Sequence, residues 1–186
     1  MSLGFIFLRY KFKMIYIRHA EKSYANGGND TFPLDPPLTD QGIEAARCRF
    51  QHLFNTYGVP PRIVSSPFLR ARETAYIAQN IIFDLIGCVV PVTYDSNIGE
   101  YLGHHMKKDI NVCLCPETLA LNPIPPETWK QYSQRMYIYV NSNPPDGWYI
   151  THGIVIQSIA FFKGKTINRP LELHGIQIQD NEVYEI

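Results

Sequence analysis

The chain has 186 residues, of which 45% are hydrophobic and 18% are charged. These proportions are typical of a soluble globular protein and differ from those of disordered chains and fibrous repeats. Seventeen Lys and Arg residues balance seventeen Asp and Glu residues, so we expect no nucleic-acid partner that binds through overall charge. The longest apolar runs are shorter than the roughly 20 residues that span a bilayer, so we expect no membrane partner either.

A chain of this length buries roughly 70% of its unfolded surface, and we expect one domain over 1–186, with 1–13 as an N-terminal segment that can lie outside it. Four cysteines, at positions 48, 88, 113 and 115, are too few for a disulfide scaffold. Reduced thiols and a cytoplasmic location are therefore expected. Cys113 and Cys115 lie near His104 and His105, but their spacing matches no common zinc pattern, so we predict no metal site.

The first half of the chain begins with a β-branched and aromatic run over 14–17, which predicts a buried strand. After a loop rich in Gly, Asn, Asp and Pro, Thr39 is typical of an N-cap for a helix over 40–57, which Gly58 would end. A second short strand is predicted over 62–64. Ser66 followed by Pro67 then indicates the N-cap and first turn of a helix that runs to about residue 82.

The second half starts with a predicted edge strand over 89–92, because Pro91 would interrupt a central ladder. The segment 95–126 is irregular, and a helix is predicted from 126–127 to 139. A strand over 148–150, a helix over 154–162 and a hairpin over 173–186 that turns at Asp180 and Asn181 complete the chain. Strands that alternate with helices indicate βαβ units. The predicted fold is a three-layer α/β/α sandwich with a mostly parallel central sheet.

Polar residues follow three of the predicted strands at their carboxyl ends, the edge at which open α/β sheets bind ligands. Arginine binds phosphate through a bidentate fork, and helix N-termini favour anions. The sequence therefore predicts an anion pocket, with phosphate as its ligand. Its residues are Arg18 and His19 after the first strand, Ser65, Ser66 and Arg70 after the second, and His152 after the strand over 148–150.

A histidine in such a pocket can act as well as bind. Neutral imidazole is a competent nucleophile towards phosphorus when nearby cations offset the charge of the phosphoryl group. An acid must also protonate the leaving oxygen. Glu100 is the leading candidate because it lies just past the edge strand, and Glu21 and Asp95 are weaker ones. We expect His19 to lie at the exposed end of its strand.

Four blocks of the sequence, in the same order, resemble the histidine phosphatase (phosphoglycerate mutase-like) superfamily. The run 18–21 (RHAE) is similar to the RHG motif of that family, with Ala20 in place of glycine. The run 35–42 (DPPLTDQG) resembles the family's PLT..G segment, and the run 65–75 (SSPFLRARETA) resembles its SSP..RA..TA segment. The run 151–153 (THG) resembles the second-histidine motif, and Glu100 falls where the family's acid occurs.

The resemblance implies a phosphoglycerate mutase-like fold and a single histidine phosphatase domain. It implies that His19 is the phosphorylated nucleophile, that Arg18, Arg70 and His152 hold the phosphoryl group, and that Glu100 is the proton donor, with His152 counted among the catalytic residues. Such an enzyme is metal-independent and uses no organic cofactor. Its substrate would be a phosphorylated small molecule or a phosphoprotein, and the sequence does not indicate an oligomeric state.

Two alternatives to a phosphatase stay open at this point. One is a phosphoglycerate-type mutase, although its asparagine occurs one position late here, at Asn26, and no tryptophan precedes it. The other is a catalytically weak module that binds a phosphorylated ligand. A third possibility is a phosphatase whose substrate is the phosphohistidine of a signalling protein. Segments 24–35 and 100–126 are expected to set specificity, and 104–108 forms either an exposed loop or part of the substrate entrance.

Overall fold

The computed structural model describes residues 14–23, 34–103, 114–121, 126–142 and 144–186, and every structural statement below concerns those residues. Their strands are β1 (Met14–Arg18), β2 (Ile63–Ser65), β3 (Val92–Tyr94), β4 (Gly147–Thr151), β5 (Gly175–Gln179) and β6 (Glu182–Glu185). Their helices are α1 (Asp40–Tyr57), α2 (Leu69–Ile86), α3 (Pro116–Leu121), α4 (Trp129–Asn141) and α5 (Gly153–Phe162), and a 3₁₀ turn spans Ser96–Ile98.

The six strands form one sheet in the order β3-β2-β4-β1-β5-β6. The first four are parallel to one another, whereas β5 runs antiparallel to β1 and β6 antiparallel to β5. Arg18 at the end of β1 is in register with Thr151 of β4, and Ser65 at the end of β2 is in register with Ile150. The carboxyl ends of β1, β2 and β4 therefore meet at one edge of the sheet.

Helices cover both faces of this sheet. Ile15 and Ile17 of β1 lie in a core cluster with apolar residues of α1 and α2, whereas Tyr16 lies in a second cluster with residues of α4 and α5. The alternation follows from the two-residue period of a strand. The mostly parallel sheet and the three layers predicted from the sequence are confirmed.

Capping and turn residues in the sequence predicted the ends of α1 and the hairpin turn correctly. The Thr39 hydroxyl accepts a hydrogen bond from the Gly42 N–H (2.9 Å) at the start of α1, and Gly58 ends that helix with a φ of 74°. In the hairpin of β5 and β6, Asp180 and Asn181 have φ values of 53° and 66°. Both are residue types that tolerate the left-handed conformation of a tight hairpin turn.

Several predicted boundaries are wrong, among them the end of α2, which lies at Ile86 and not at about residue 82. Helix α2 begins at Leu69 and not at Ser66, because the Ser66 hydroxyl bonds to His152 instead of capping a helix. Helix α4 begins at Trp129, where Thr128 and Gln131 form a capping box. The edge strand lies at Val92–Tyr94, later than the predicted 89–92, although it does lie at the edge of the sheet.

Several sequence-based expectations fall outside the described residues. They concern the N-terminal segment 1–13, Asn26, Cys113, the loop 104–108 and most of the two segments expected to set specificity. Within the described ranges, no helix is long and apolar enough to cross a membrane.

Gly42 connects α1 to the loop that follows His19. A Cβ atom at Gly42 would lie 2.4 Å from the Glu21 carbonyl oxygen, which also accepts a hydrogen bond from the Thr39 N–H (3.1 Å). Helix propensity alone would make Gly42→Ala stabilising by about 1 kcal/mol. The backbone shift that the clash requires costs up to about 3 kcal/mol.

We expect Gly42→Ala to lower the free energy of unfolding by about 2 kcal/mol, since the clash outweighs the gain in helix propensity. Urea unfolding followed by circular dichroism measures the change. Gln41→Ala, at an exposed position of the same helical turn, is the matched control and should stay within about 0.5 kcal/mol of the parent. Stabilisation by Gly42→Ala would contradict the close approach of α1 to Glu21.

Candidate active site

His19 lies directly after β1 and is 3% exposed. The expectation that it is exposed is wrong, because Arg70 bonds to its ring and His152 packs against it with ring centroids 5.3 Å apart. Its Nδ1 lies 2.7 Å from the Ala20 carbonyl oxygen, which can only accept a hydrogen bond. Its Nε2 lies 3.2 Å from the Nε–H of Arg70. The proton is therefore assigned to Nδ1, and the lone pair of Nε2 faces the guanidinium.

Arg70 lies in the first turn of α2 and is completely buried. Its Nε donates to His19, and its Nη2 pairs with the Glu100 carboxylate and lies 3.5 Å from His152 Nδ1. A buried guanidinium thus links the ends of β1 and β4 to the segment after β3. The structure brings His19, Arg70 and His152 together at the ends of these strands, and Glu100 reaches the same guanidinium.

His152 occupies the N-cap position of α5 and is also fully buried. Its Nε2 lies 2.8 Å from the Ser66 hydroxyl oxygen, and its Nδ1 lies 3.6 Å from the Glu100 carboxylate. Phe68 packs edge-to-face against the ring at 5.2 Å. The imidazole is therefore held from three sides and has little freedom to rotate.

Glu100 follows the 3₁₀ turn at Ser96–Ile98, which is tied to the sheet and to α4. The Thr151 hydroxyl donates to the Ile98 carbonyl (2.6 Å), and Arg135 donates to the Asn97 carbonyl. These bonds position Glu100 although its own segment has no regular secondary structure. The weaker acid candidates have other partners: Asp95 accepts from the Asn97 N–H, and Glu21 accepts from the Thr39 hydroxyl.

Arg18 is held by the segment before β5. Its guanidinium donates to the Pro170 carbonyl (2.8 Å) and pairs with Glu172. Its buried Nε has no hydrogen-bond partner among the described residues. The hydrogen bonds of the Arg18 side chain among the described residues go to Pro170 and Glu172 and not to Arg70, Glu100 or His152, although its charge contributes to the low pKa of His152.

Both histidines are neutral at ordinary pH. Burial, and then the positive charge of Arg70 and the neighbouring His152, lowers the pKa of His19 well below its usual value. Burial and the charges of Arg70 and Lys22 likewise lower the pKa of His152. A neutral His19 keeps the Nε2 lone pair that a nucleophile needs.

Glu100 is ionised for a different reason. Burial raises its pKa, but the positive charges of Arg70, Lys22 and Arg169 outweigh that effect and hold the pKa below its usual value. The carboxylate therefore interacts with Arg70 as an anion.

Sequence reasoning missed two further cations, Lys22 and Arg169. Lys22 is half-buried, and burial together with the like charge of Arg70 lowers its pKa. Its position directly after the 18–21 motif was an available signal. The guanidinium of Arg169 lies 3.9 Å from Glu100 and is 54% exposed. The Arg169 side chain packs against Gly153, where a Cβ atom would come within 2.7 Å of its Nε. No sequence pattern indicates this contact.

The described residues contain no cluster of three His, Cys, Asp or Glu side chains arranged to hold a metal. His104, His105 and Cys113, which raised the question of zinc, lie outside them.

Comparison with known proteins agrees with the sequence resemblance. A family model described as "Histidine phosphatase superfamily (branch 1)" matches residues 14–106, which is half of the chain. This range includes Arg18, His19, Arg70 and Glu100 but ends before His152. A comparison with curated proteins found no match.

Three solved structures illustrate the similarity in fold. A mycobacterial glucosyl-3-phosphoglycerate phosphatase is 21% identical, with a TM-score of 0.58 and 89% of each chain covered. The ecdysone phosphate phosphatase of Bombyx mori, in complex with tungstate, is 17% identical, with a TM-score of 0.63 and 95% of this chain and 92% of that one covered. The alpha-ribazole phosphatase of Shigella flexneri is 20% identical, with a TM-score of 0.60 and 94% of each chain covered. The expected phosphoglycerate mutase-like fold is confirmed.

The neutral, buried histidines make stability depend on pH. Their pKa values in the folded protein lie below those in the unfolded chain, so their contribution is complete above about pH 6.5 and is lost as the pH falls towards the folded values. We expect the free energy of unfolding to decrease by up to about 2.7 kcal/mol per pH unit below pH 6, about 1.4 for each histidine.

Urea unfolding at several pH values between about 5 and 7.5 measures this slope. All of these pH values lie above 4.5, the ordinary pKa of Glu100. His152→Asn should remove about half of it. His52→Asn, at an exposed position of α1, is the matched control and should behave like the parent. An undiminished slope in His152→Asn would show that His152 is not held neutral by its surroundings.

Proposed function

The chain belongs to the histidine phosphatase superfamily (branch 1), and we propose that it hydrolyses phosphomonoesters through a covalent phosphohistidine on His19. The observation that carries the proposal is the orientation of the His19 ring. Its Nδ1–H is directed at the Ala20 carbonyl, and its Nε2 lone pair faces the buried Arg70. A nucleophile is thus aimed at the cation that would hold a phosphoryl oxygen.

In the first step, Nε2 of His19 attacks phosphorus while the bond from phosphorus to the ester oxygen breaks. The bonding electrons leave with that oxygen, which takes a proton from Glu100 and departs as the alcohol. In the proposed route Arg70, Arg18 and His152 hold the phosphoryl oxygens. The N-terminus of the ten-residue helix α5, which begins directly after His152, favours the same negative charge.

Glu100 must be protonated to act as an acid, although its pKa is low beside Arg70. A bound phosphoryl dianion would compete with Glu100 for Arg70 and place two negative charges next to the carboxylate. Both effects raise the pKa of Glu100. Substrate binding would therefore convert Glu100 from the ion-pair partner of Arg70 into a proton donor.

In the second step, a water molecule attacks the phosphohistidine, and the ionised Glu100 takes its proton. The bond from Nε2 to phosphorus breaks, inorganic phosphate is released, and His19 returns to its neutral form. The proposed route uses neither a metal nor an organic cofactor. His19, Arg18, Arg70, His152 and Glu100 supply the nucleophile, the charge and the proton.

The substrate class is a phosphorylated small molecule or a phosphoprotein. The three similar structures are phosphatases by name, which supports a phosphatase over a mutase. We also propose that 1–186 forms one histidine phosphatase domain and is cytoplasmic. Cys48, Cys88 and Cys115, the cysteines in the described ranges, are free, in keeping with that location.

The test is a rapid-quench experiment with ³²P-labelled 4-nitrophenyl phosphate in the presence of EDTA. We expect a protein-bound label that is labile in acid and stable in base, together with release of inorganic phosphate. His19→Ala should abolish both, with a residual rate below about 10⁻³ of the parent, because the nucleophile is lost. Circular dichroism confirms that the variant is folded.

His52→Ala, which removes an exposed histidine, is the control and should keep the label and the rate. Label in His19→Ala would contradict the assignment of the nucleophile. Neither label nor release in the parent would favour a phospho-ligand-binding module. Transfer of the phosphoryl group to a second hydroxyl of a substrate, without free phosphate, would indicate a mutase.

The acid role of Glu100 makes a separate prediction. Glu100→Gln should lower kcat/KM for glycerol 3-phosphate by about 10²–10³-fold, because an alkoxide leaving group needs a proton. It should lower kcat/KM for 4-nitrophenyl phosphate by no more than about 10-fold, since that leaving group is stable as an anion. The ratio kcat/KM reports the steps up to alcohol release and is unaffected by slow hydrolysis of the phosphohistidine.

Asp95→Asn is the matched control, because Asp95 was the neighbouring acid candidate and its carboxylate caps the 3₁₀ turn. This variant should change kcat/KM for the two substrates by equal factors. If Glu100→Gln lowered kcat/KM by equal factors for the two substrates, the proton donor would be a group other than Glu100.

A further inference from the structure

Asp35 is a completely buried carboxylate next to Arg70 and is the first residue of the PLT..G-like run 35–42. Its Oδ1 accepts a hydrogen bond from the Leu69 N–H (2.7 Å), the first residue of α2, and lies 3.6 Å from Nη1 of Arg70. Its Oδ2 accepts a hydrogen bond from the Thr118 hydroxyl of α3. One buried side chain therefore contacts the start of α2, the guanidinium and α3.

The three nitrogens of the Arg70 guanidinium have different partners. Nη1 faces Asp35 and donates to the Leu34 carbonyl (3.2 Å). Nε and Nη2 bond to His19 and Glu100, the groups that would face the phosphoryl group. A planar guanidinium held at Nη1 can rotate little, so its Nε–Nη2 edge stays directed at the pocket.

We propose that Asp35 is a positioning residue that orients Arg70 for phosphoryl binding, an inference that rests on the proposed function. Asp35 does not touch the reacting atoms. It acts through Arg70, by holding Nη1 and by bonding to the helix turn that carries the arginine. It also connects α3 to the pocket, since the Thr118 hydroxyl lies 3.1 Å from the Pro67 carbonyl, just before α2.

The charge and the position of Asp35 have opposite effects on anion binding. As a nearby negative charge, Asp35 weakens the attraction of the pocket for a phosphoryl dianion. As an anchor of Arg70, it strengthens binding, because a bidentate contact depends on the angle of the guanidinium. The direction in which anion affinity changes when the charge is removed therefore distinguishes the two roles.

Asp35→Asn removes the charge and keeps the shape. With the amide oxygen at the Oδ1 position, the bond from the Leu69 N–H is retained. The amide nitrogen then donates to the Thr118 hydroxyl oxygen, whose own hydrogen turns to the Pro67 carbonyl. The ion pair with Arg70 is the interaction that is lost.

The experiment measures inhibition by orthovanadate, which is tetrahedral like phosphate, together with kcat/KM for 4-nitrophenyl phosphate. We expect Asp35→Asn to raise the inhibition constant about 10-fold and to lower kcat/KM by about 10–100-fold, as small misplacements in active sites do. An inhibition constant does not depend on the fraction of folded enzyme, so a purely structural role would lower the melting temperature and leave this constant unchanged. An unchanged or lower constant would overturn the proposal.

Thr118→Val is the matched control. It removes the hydroxyl bonded to Asp35 Oδ2 while the carboxylate charge and its contact with Arg70 stay. It should lower the melting temperature and change the orthovanadate constant by less than about 2-fold. A change as large as that of Asp35→Asn would assign the effect to local destabilisation and overturn the proposal.

The orthovanadate dissociation constant, measured by titration calorimetry, separates this inference from the proposed function. If the parent protein binds orthovanadate but does not hydrolyse 4-nitrophenyl phosphate, the hydrolase proposal fails while the comparison of parent and Asp35→Asn still tests Asp35. If the parent hydrolyses the ester and Asp35→Asn binds orthovanadate equally well, the Asp35 proposal alone fails.

Discussion

The guanidinium of Arg70 is a fully buried positive charge, and the site is arranged around the need to compensate it. An unpaired ion in the interior costs several kcal/mol, so its polar neighbours must be close and well oriented. Two carboxylates, one backbone carbonyl and two imidazoles meet this need, and they come from separate parts of the chain. In the proposed function the same groups also orient the arginine towards the phosphoryl group, so the requirement of stability and that of binding coincide.

The parallel sheet explains why these parts of the chain meet. Strands β1, β2 and β4 end at one edge, which places His19 beside α2 and His152 at the start of α5. The pocket is therefore built mainly from positions directly after strands, and the two helices bring their N-termini to the same edge. Glu100, in contrast, does not follow a strand directly and depends on side-chain bonds from Thr151 and Arg135 to its turn.

The contrast between residues directly after strands and residues in irregular segments explains which parts of the fold and the site could be predicted from the sequence. The strands and helices and the meeting of His19, Arg70 and His152 follow from hydrophobic period and from positions after strands, which are local signals. Ser66 was misinterpreted because a serine before proline caps many helices, whereas here its hydroxyl bonds to a histidine 86 positions away. The contacts that Asp35 and Arg169 make with the site were not predicted, because both residues lie in irregular segments, where neighbouring residues do not indicate a side chain's partner.

The balance of charge links the structure to the proposed chemistry. Glu100, Asp35 and Glu172 oppose four cations, Arg18, Lys22, Arg70 and Arg169, so with neutral histidines the described groups around the pocket carry one net positive charge. A phosphoryl dianion added to this set would leave one net negative charge. Uptake of one proton by Glu100 would make the sum zero, so in the proposed mechanism the charge of the substrate would itself favour the protonated state in which Glu100 releases the alcohol.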